Sequence, residues 1–361
     1  MRVFPVCCSR RLLACGLGMA LLLSACIVPI QTTAAPVVPQ TVETSGLELI
    51  TPGAQKAINR ALDFLAASQQ EDGGFGGGSN YRRHVAVTAL SGMAFLASGS
   101  TPNRGKYGVN VEKAVQFLLA NTDATGLIST PEARQQNPMY GHGFATLFLA
   151  EVYGMTQRAD IRDKLKLAIN LIINTQNREG GWRYFPIRRE ADISVTVCQI
   201  MALRAARNAG IYVPKSTVDQ CTKYVKQCQN PDGGFSYQLL SGTPSIWPRS
   251  AAGLVALYSA GIYEGREVER GLKYLMEHIP RGEILRNEAF YFYGHYYAVQ
   301  AMWHAGGNYW QRWYPAIRDE LLGRQTQNGS WQDSTVNNEY GTAMACIVLQ
   351  MPNNYLPIFQ R

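Results

Sequence analysis

The same tripeptide occurs twice in the sequence and is the first candidate for chemistry. Tyr140-Gly141-His142 and Tyr293-Gly294-His295 lie on either side of Asp192. Histidine can act as an acid, a base or a metal ligand near neutral pH, and an aspartate can act as an acid or a base. His142, His295 and Asp192 are therefore the candidate catalytic residues. The alternative is structural: the histidines bond to neighbouring loops, and Asp192 caps a helix.

Aromatic residues accompany these candidates. Residues 290–297 (FYFYGHYY) form the densest aromatic run. Aromatic side chains can stabilise cations, stack on sugar rings or simply fill a core, and the sequence leaves these three uses open. We predict a ligand-binding rim that contains Tyr140, Trp247, Tyr293 and Tyr340.

The elements that position these residues repeat along the chain. Four segments share a glutamine, a short polar turn, glycine and then an aromatic residue: 68–75 (SQQEDGGF), 175–182 (TQNREGGW), 228–235 (CQNPDGGF) and 324–331 (RQTQNGSW). Weaker copies occur at 120–127 and 281–283. Together they indicate six repeats with a period of about 51 residues.

Each repeat predicts an amphipathic helix before the turn and a wholly apolar helix after it. An amphipathic pattern is typical of an outer helix, and a wholly apolar pattern is typical of a buried one. Six such pairs predict an all-α fold, an α/α toroid of about twelve helices in two rings. The predicted inner segments are 85–97, 143–153, 195–206, 250–260, 296–304 and 341–349. The inner helices should begin at one rim, where helix dipoles favour anions. Arginines that bind an anion there, or are simply solvated, precede two of them: Arg82, Arg83, Arg183, Arg188 and Arg189.

These glutamine–glycine–aromatic repeats resemble those of the terpenoid cyclase and protein prenyltransferase superfamily across residues 51–361. Residues 140–155, 192–210 and 355–361 are similar to bacterial envelope proteins with prenyltransferase and squalene oxidase repeats. The resemblance implies an α/α toroid and an apolar or isoprenoid small molecule as ligand.

The family's reactive motifs are incomplete here. The resemblance places a D-x-D-D-T proton donor at residues 192–196, where Asp192 and Thr196 match but Ser194 and Val195 replace the two central acids. A D-D-x-x-D magnesium motif is absent. The zinc pair D-x-C occurs only as Asp219-Gln220-Cys221, in a predicted outer helix. We therefore predict no metal and no cofactor, and we leave catalysis open.

The first 50 residues indicate export. Basic residues precede the apolar run Leu12–Ala25, which is shorter than the roughly 20 residues of a membrane span. Small residues before Cys26 resemble a lipobox, so we predict a lipoprotein signal peptide over 1–25, lipidation of Cys26 and a Pro/Thr-rich tether over 26–50. Ordinary cleavage near residues 33–35 is the alternative. The expected location is the periplasmic face of the bacterial cell envelope, with the membrane reached through the lipid anchor.

Composition excludes some classes of protein and partner. Hydrophobic residues make up 46% of the chain and charged residues 17%, which suits a large core and not a disordered chain. The net charge of +8 is scattered, so nucleic acid is not an expected partner, and no protein partner can be named. Among the globular cysteines, Cys198 could pair with Cys221 or Cys228, or all could be buried thiols.

Three functions remain. The first is an exported lipoprotein whose toroid binds a ligand in its central cavity or at its rim. The second is an isoprenoid (squalene or terpene) cyclase-like enzyme. The third is a carbohydrate-active toroid enzyme in which Asp192 pairs with Glu339 or Glu288 as acid and base.

The lipobox provides the first test. Labelled fatty acid fed to cells should enter the wild-type chain and not the Cys26→Ala variant, because the thiol is the acylated group. The measurement is the label recovered with the purified protein. Equal labelling of the two proteins would contradict the anchor.

Overall fold

The computed structural model describes residues 46–78, 81–281 and 289–360. The predicted signal peptide, Cys26, most of the tether and Glu288 lie outside the described residues. The described residues form twelve α-helices: α1 (Pro52–Ser68), α2 (Val85–Ala97), α3 (Gly108–Ala120), α4 (Pro138–Thr156), α5 (Ala159–Thr175), α6 (Ile193–Asn208), α7 (Lys215–Gln227), α8 (Trp247–Ser259), α9 (Arg266–Met276), α10 (Tyr291–Ala305), α11 (Gly307–Arg324) and α12 (Asn338–Gln350). The described residues form isolated β-bridges but no strand.

The even-numbered helices form a closed inner ring. Each packs against the next even-numbered helix, and α12 packs against α2. The odd-numbered helices lie outside and cover the inner ring. Nearly every residue of α2 is buried, whereas α7 buries only one face, as the two hydrophobic patterns require. The predicted α/α toroid is confirmed.

The turn glutamines join neighbouring repeats. The Gln176 amide nitrogen donates to the Gly180 carbonyl of its own turn (2.8 Å) and to the Thr217 carbonyl of the next outer helix (2.9 Å). Gln69 and Gln229 make the same pair of bonds. Gln325 donates to Gly329 and to Ala57 of α1, so the same contact joins the sixth repeat to the first.

Glycine in these turns is required by close packing. Gly180 has a φ of 105°, and a Cβ there would lie 2.2 Å from the Gln220 carbonyl oxygen of α7. Gly329 has a φ of 91° and faces the Arg60 carbonyl of α1 in the same way. Only glycine combines this left-handed backbone with so close an approach.

On five inner helices (α2, α4, α6, α8 and α12), a side chain accepts a hydrogen bond from the next backbone N–H of the preceding turn. Thr196 Oγ1 accepts from Trp182 N–H (3.1 Å), and Thr342 Oγ1 accepts from Trp331 N–H (3.0 Å). Thr88 and Ser250 do the same for Phe75 and Phe235. In the second repeat the acceptor is His142, whose Nδ1 lies 3.2 Å from the Ile128 nitrogen.

The end of the ring where the inner helices finish is covered by residues 351–360. Arg204 of α6 donates to the Tyr258 carbonyl (2.9 Å) and the Gln360 carbonyl (2.6 Å). Glu151 of α4 accepts from Ile358 N–H at 3.4 Å. Burial raises the pKa of Glu151 to about 8. The inner helices begin at the opposite end of the ring from these residues.

The described cysteines settle one open alternative. Cys198, Cys221, Cys228 and Cys346 are all free and buried, so Cys198 is not paired with Cys221 or Cys228. Among the described residues, no helix combines the length and the apolarity that crossing a bilayer requires.

The hydrogen bond of His142 can be tested by stability. His142→Ala should lower the free energy of unfolding by about 1–3 kcal/mol, because the buried Ile128 N–H loses its acceptor. His142→Thr, which supplies the hydroxyl used by other repeats, should recover part of the loss. Denaturant unfolding measures both, with His278→Ala on a partly exposed histidine as control. Equal loss in the Ala and Thr variants would contradict a role for the hydrogen bond.

Candidate functional site

Side chains near the start of each inner helix fall into two sets that point in different directions. The residue that bonds to the turn points away from the ring centre, and a residue two positions earlier is rotated by about 200° around the helix. We call these earlier residues the mouth layer: Ala86, Tyr140, Ser194, Pro248, Tyr293 and Tyr340. Tyr140, Ser194, Tyr293 and Tyr340 are partly exposed, whereas most of the residues after them in the same helices are buried.

Three residues of the mouth layer are tyrosines from different inner helices. Tyr140 and Tyr293 lie near the starts of the opposite helices α4 and α10, and Tyr340 lies near the start of α12. Burial raises the pKa of all three hydroxyls, so they are neutral at physiological pH. Three of the six mouth-layer residues are therefore neutral aromatic side chains.

One helical turn deeper, side chains from opposite walls meet. The rings of Phe144 (α4) and Tyr296 (α10) are 6.0 Å apart in an edge-to-face arrangement. Cys198 Sγ of α6 lies 3.4 Å from the Tyr297 hydroxyl of α10. All four are buried, and the lumen at this level is occupied by side chains. The accessible part of the centre is the mouth layer.

Two tyrosines from the loops extend the mouth. Tyr184 lies 6.1 Å from Tyr140 between ring centroids, and its hydroxyl is hydrogen-bonded to that of Tyr237. The Arg183 guanidinium lies 5.1 Å from the Tyr184 ring centroid. Sequence reasoning missed both tyrosines because the loops lack periodicity. The available signal was their position, two residues after the aromatic residues that end the third and fourth turns.

Asp192 is a buried helix cap beside the mouth. Its Oδ1 accepts from Val195 N–H at 2.9 Å, which fits the N-cap alternative. Its Oδ2 lies 3.8 Å from Arg183 Nε, with Tyr237 nearby. Burial raises the pKa of Asp192 to about 6, although the Val195 N–H and the Arg183 charge oppose the shift. A substantial fraction of this carboxyl group is therefore protonated in mildly acidic solution.

The two histidines lie on opposite helices and do not meet. Burial lowers the pKa of His142 to about 4, and burial with the Arg324 charge lowers that of His295 to about 3, so both are neutral. His295 packs against Trp247 (4.7 Å) and Tyr291 (4.5 Å) between ring centroids. It occupies the same register as His142, and residues 282–288 of its turn lie outside the described part.

Trp247 and the tripeptide glycines serve helix packing. A Cβ at Gly294 would lie 2.4 Å from the Trp247 ring, so this glycine admits the tryptophan between α8 and α10. At Gly141 a Cβ would lie 2.7 Å from Val85 of α2. The structure therefore places Trp247 among buried aromatic residues and apart from Tyr140, Tyr293 and Tyr340.

The proposed carboxylate pair is divided between opposite walls. Asp192 begins α6, and Glu339 lies in α12 next to Gly77 of the first turn. No group of three or more His, Cys, Asp or Glu side chains among the described residues is arranged to hold a metal ion.

The mouth adjoins a surface cavity. Its volume is about 340 Å³, and it is lined by Arg183, Tyr184, Phe185, Ile187, Arg189 and Glu190. Arg183 pairs with Glu190 at its edge. Aromatic, apolar and cationic groups thus meet on one side of the rim.

Comparisons with known proteins agree with this architecture. A family profile described as "Prenyltransferase alpha-alpha toroid domain" matches residues 43–245. A drimenyl diphosphate synthase from Streptomyces showdoensis is 24% identical over 179 residues, which are 50% of this chain and 32% of that protein. Another, from Streptantibioticus cattleyicolor, is 35% identical over 82 residues, or 23% of this chain and 15% of that protein. The chain spans about a third or less of the length of these curated relatives.

Solved structures with different chemistries share the fold. A type II terpene cyclase from Scytonema, in complex with its product merosterolic acid A, has a TM-score of 0.61 at 14% identity and covers 86% of this chain and 99% of its own. An inactive variant of an α-1,6-mannanase from Salegentibacter, in complex with α-1,6-mannotriose, has a TM-score of 0.59 at 8% identity, with 84% and 99% covered. At such identities the likeness shows the fold alone.

The raised pKa of Asp192 makes stability depend on pH. Because the folded protein holds this proton up to about pH 6, against an ordinary value of 3.8, the carboxyl group costs stability as the pH rises between these values. Asp192→Asn keeps the cap without the charge. Relative to wild type it should gain about 2 kcal/mol in unfolding free energy between pH 4 and pH 7. A difference between the two proteins that is the same at both pH values would contradict this assignment.

Proposed function

Because the chain belongs to the prenyltransferase alpha-alpha toroid family, we propose that it binds an isoprenoid or similarly apolar small molecule at the mouth of its inner ring. We further propose that it does so as an exported protein, held on the periplasmic side of the envelope by lipid on Cys26.

The carrying observation is the mouth layer above a filled lumen. Tyr140, Tyr293 and Tyr340 are partly exposed where the inner helices begin, while Phe144 and Tyr296 fill the centre below them. Tyrosine offers a large apolar face with one polar atom, which suits a mostly apolar ligand that carries a hydroxyl or similar group. The filled lumen favours a ligand that lies across the mouth.

Proton-initiated cyclisation fits this site less well. Protonating an alkene carbon requires an unusually strong acid, but burial makes Asp192 a weaker acid than a free aspartate. Ser194, which stands where the family's motif has an acid, faces the mouth beside Tyr293 and cannot supply a proton of that strength. We therefore favour binding without cyclisation.

The isoprenoid class draws support from the relatives. The Scytonema terpene cyclase was also solved with geranylgeranyl dihydroxybenzoate as substrate. Its toroid and this one share the fold, and three of the six mouth-layer residues here are tyrosines.

One observation favours a carbohydrate-active enzyme as the second candidate. A carboxyl group with a pKa of about 6, as Asp192 has, is suited to general acid catalysis near neutral pH. Its predicted partner Glu339 lies across the ring, however, so a substrate would have to bridge the mouth between them. Reducing ends released from α-1,6-mannan by wild type and not by Asp192→Asn would support this candidate.

Binding can be measured with geranylgeraniol as probe. Tyr293→Ala and Tyr140→Ala should each raise the dissociation constant about two- to tenfold, because each removes one aromatic face from the mouth. Tyr212→Ala, which removes a tyrosine that is 81% exposed in the loop between α6 and α7, should leave binding unchanged. Extraction and mass spectrometry of the purified protein should also recover an apolar molecule. Unchanged binding in both mouth variants would contradict the proposal.

A further inference from the structure

Large apolar side chains are exposed on one sector of the rim. Leu240 is 94% exposed, and Phe185, Ile187, Ile246 and Phe290 are between 41% and 56% exposed. All five lie in the loops that lead into α6, α8 and α10, which are consecutive inner helices. We call residues 183–190 and 237–246, together with Phe290, the rim ledge.

The two loops of the ledge are joined into one support. The Ile193 N–H donates to the Tyr237 carbonyl at 3.0 Å, and the Gln238 amide donates to the Ala191 carbonyl at 3.2 Å. Tyr184 and Tyr237 are joined through their hydroxyls. The Met139 N–H donates to the Tyr184 carbonyl at 3.1 Å, which fixes the ledge to α4. The apolar side chains therefore project from a supported surface.

Two of these side chains are held in a backbone conformation that disfavours them. Leu240 has a φ of 55° and Phe290 a φ of 66°, in the left-handed region that bulky residues rarely adopt. Such strain persists only where the surrounding structure imposes it, and it is often found at functional sites. Here the strained backbone carries two of the most exposed apolar side chains, in the loops that precede the adjacent inner helices α8 and α10.

The charge of the ledge indicates what its apolar residues meet. Arg188 and Arg189 are exposed next to Phe185 and Ile187. The acid of this stretch, Glu190, is paired with Arg183. An apolar surface flanked by unbalanced arginines matches an anionic bilayer, where the side chains enter the boundary between headgroups and acyl chains and the guanidinium groups meet phosphates.

From these observations we propose that the rim ledge docks the open end of the toroid onto the surface of an anionic phospholipid bilayer. The mouth layer would then face the lipid, since Tyr184 of the ledge is next to Tyr140. This contact is separate from the acyl anchor at Cys26 and does not depend on which ligand the mouth binds.

The test reports the environment of the ledge itself. An environment-sensitive thiol dye is attached to Leu240→Cys and, as matched control, to Tyr212→Cys. Both variants are made in the full chain with Cys7, Cys8, Cys15 and Cys26 changed to serine. The remaining cysteines are buried, so the introduced thiol is the labelled one. Vesicles of phosphatidylcholine with and without 30% phosphatidylglycerol are added, with brominated lipid as quencher.

We expect a blue shift and bromine quenching at position 240 with the anionic vesicles and neither at position 212. Arg188→Gln/Arg189→Gln should weaken vesicle binding by about 30-fold, since each arginine near an anionic surface contributes about a fivefold factor. The same signal at both positions, or none at position 240, would overturn the proposal. A shift at position 240 that grows with protein concentration without vesicles would assign the ledge to a second copy of the chain instead.

Discussion

The ring depends on a side-chain amide in four of its turns, those of Gln69, Gln176, Gln229 and Gln325. A turn glutamine donates one hydrogen to its own turn and the other to a backbone carbonyl of the next outer helix, as Gln176 does to Gly180 and Thr217. Helices packed by apolar side chains alone could slide, because such contacts are non-directional. The paired hydrogen bonds fix the heights of the repeats that they join. Where Gln325 reaches Ala57, the same contact converts a row of repeats into a closed ring.

Because the heights of the repeats are fixed, side chains in the first turns of an inner helix can serve two purposes, lining the mouth and bonding to the scaffold. Tyr140 and His142 are two residues apart, so one faces the mouth and the other bonds to the outer turn. Tyr293 and His295 have the same spacing on the opposite wall, where His295 packs against Trp247 and Tyr291. The repeated tripeptide thus combines a mouth residue with a scaffold residue, and the glycine between them admits a neighbouring helix. Variation at the mouth is therefore possible without disturbing the contacts that hold the ring.

Much of this could be predicted from sequence, for identifiable reasons. The apolar run 85–97 coincides with α2, because burial on all sides leaves only Thr88 and Ser91 as polar residues inside it. The predicted segment 143–153 begins five residues after the start of α4, because the first turn of that helix carries Tyr140 and His142, which are not simply apolar. The aromatic run 290–297 could not be resolved from sequence, since Tyr293 lines the mouth while Tyr296 and Tyr297 fill the core. Periodicity finds the elements, but it does not separate a cavity wall from a core.

The closure of the ring also constrains how the chain can fold. The contacts that complete it join residues far apart in sequence: Gln350 with Ala94, Gln325 with Ala57 and Arg204 with Gln360. A growing chain can therefore stack its first five repeats in order, but α1 and α2 keep an uncovered apolar flank until α12 is available. Loop-closure entropy makes such long-range contacts slow to form. Until then the assembly is an open arc whose two ends expose apolar surface. At high concentration, two such arcs could complete each other by exchanging terminal repeats.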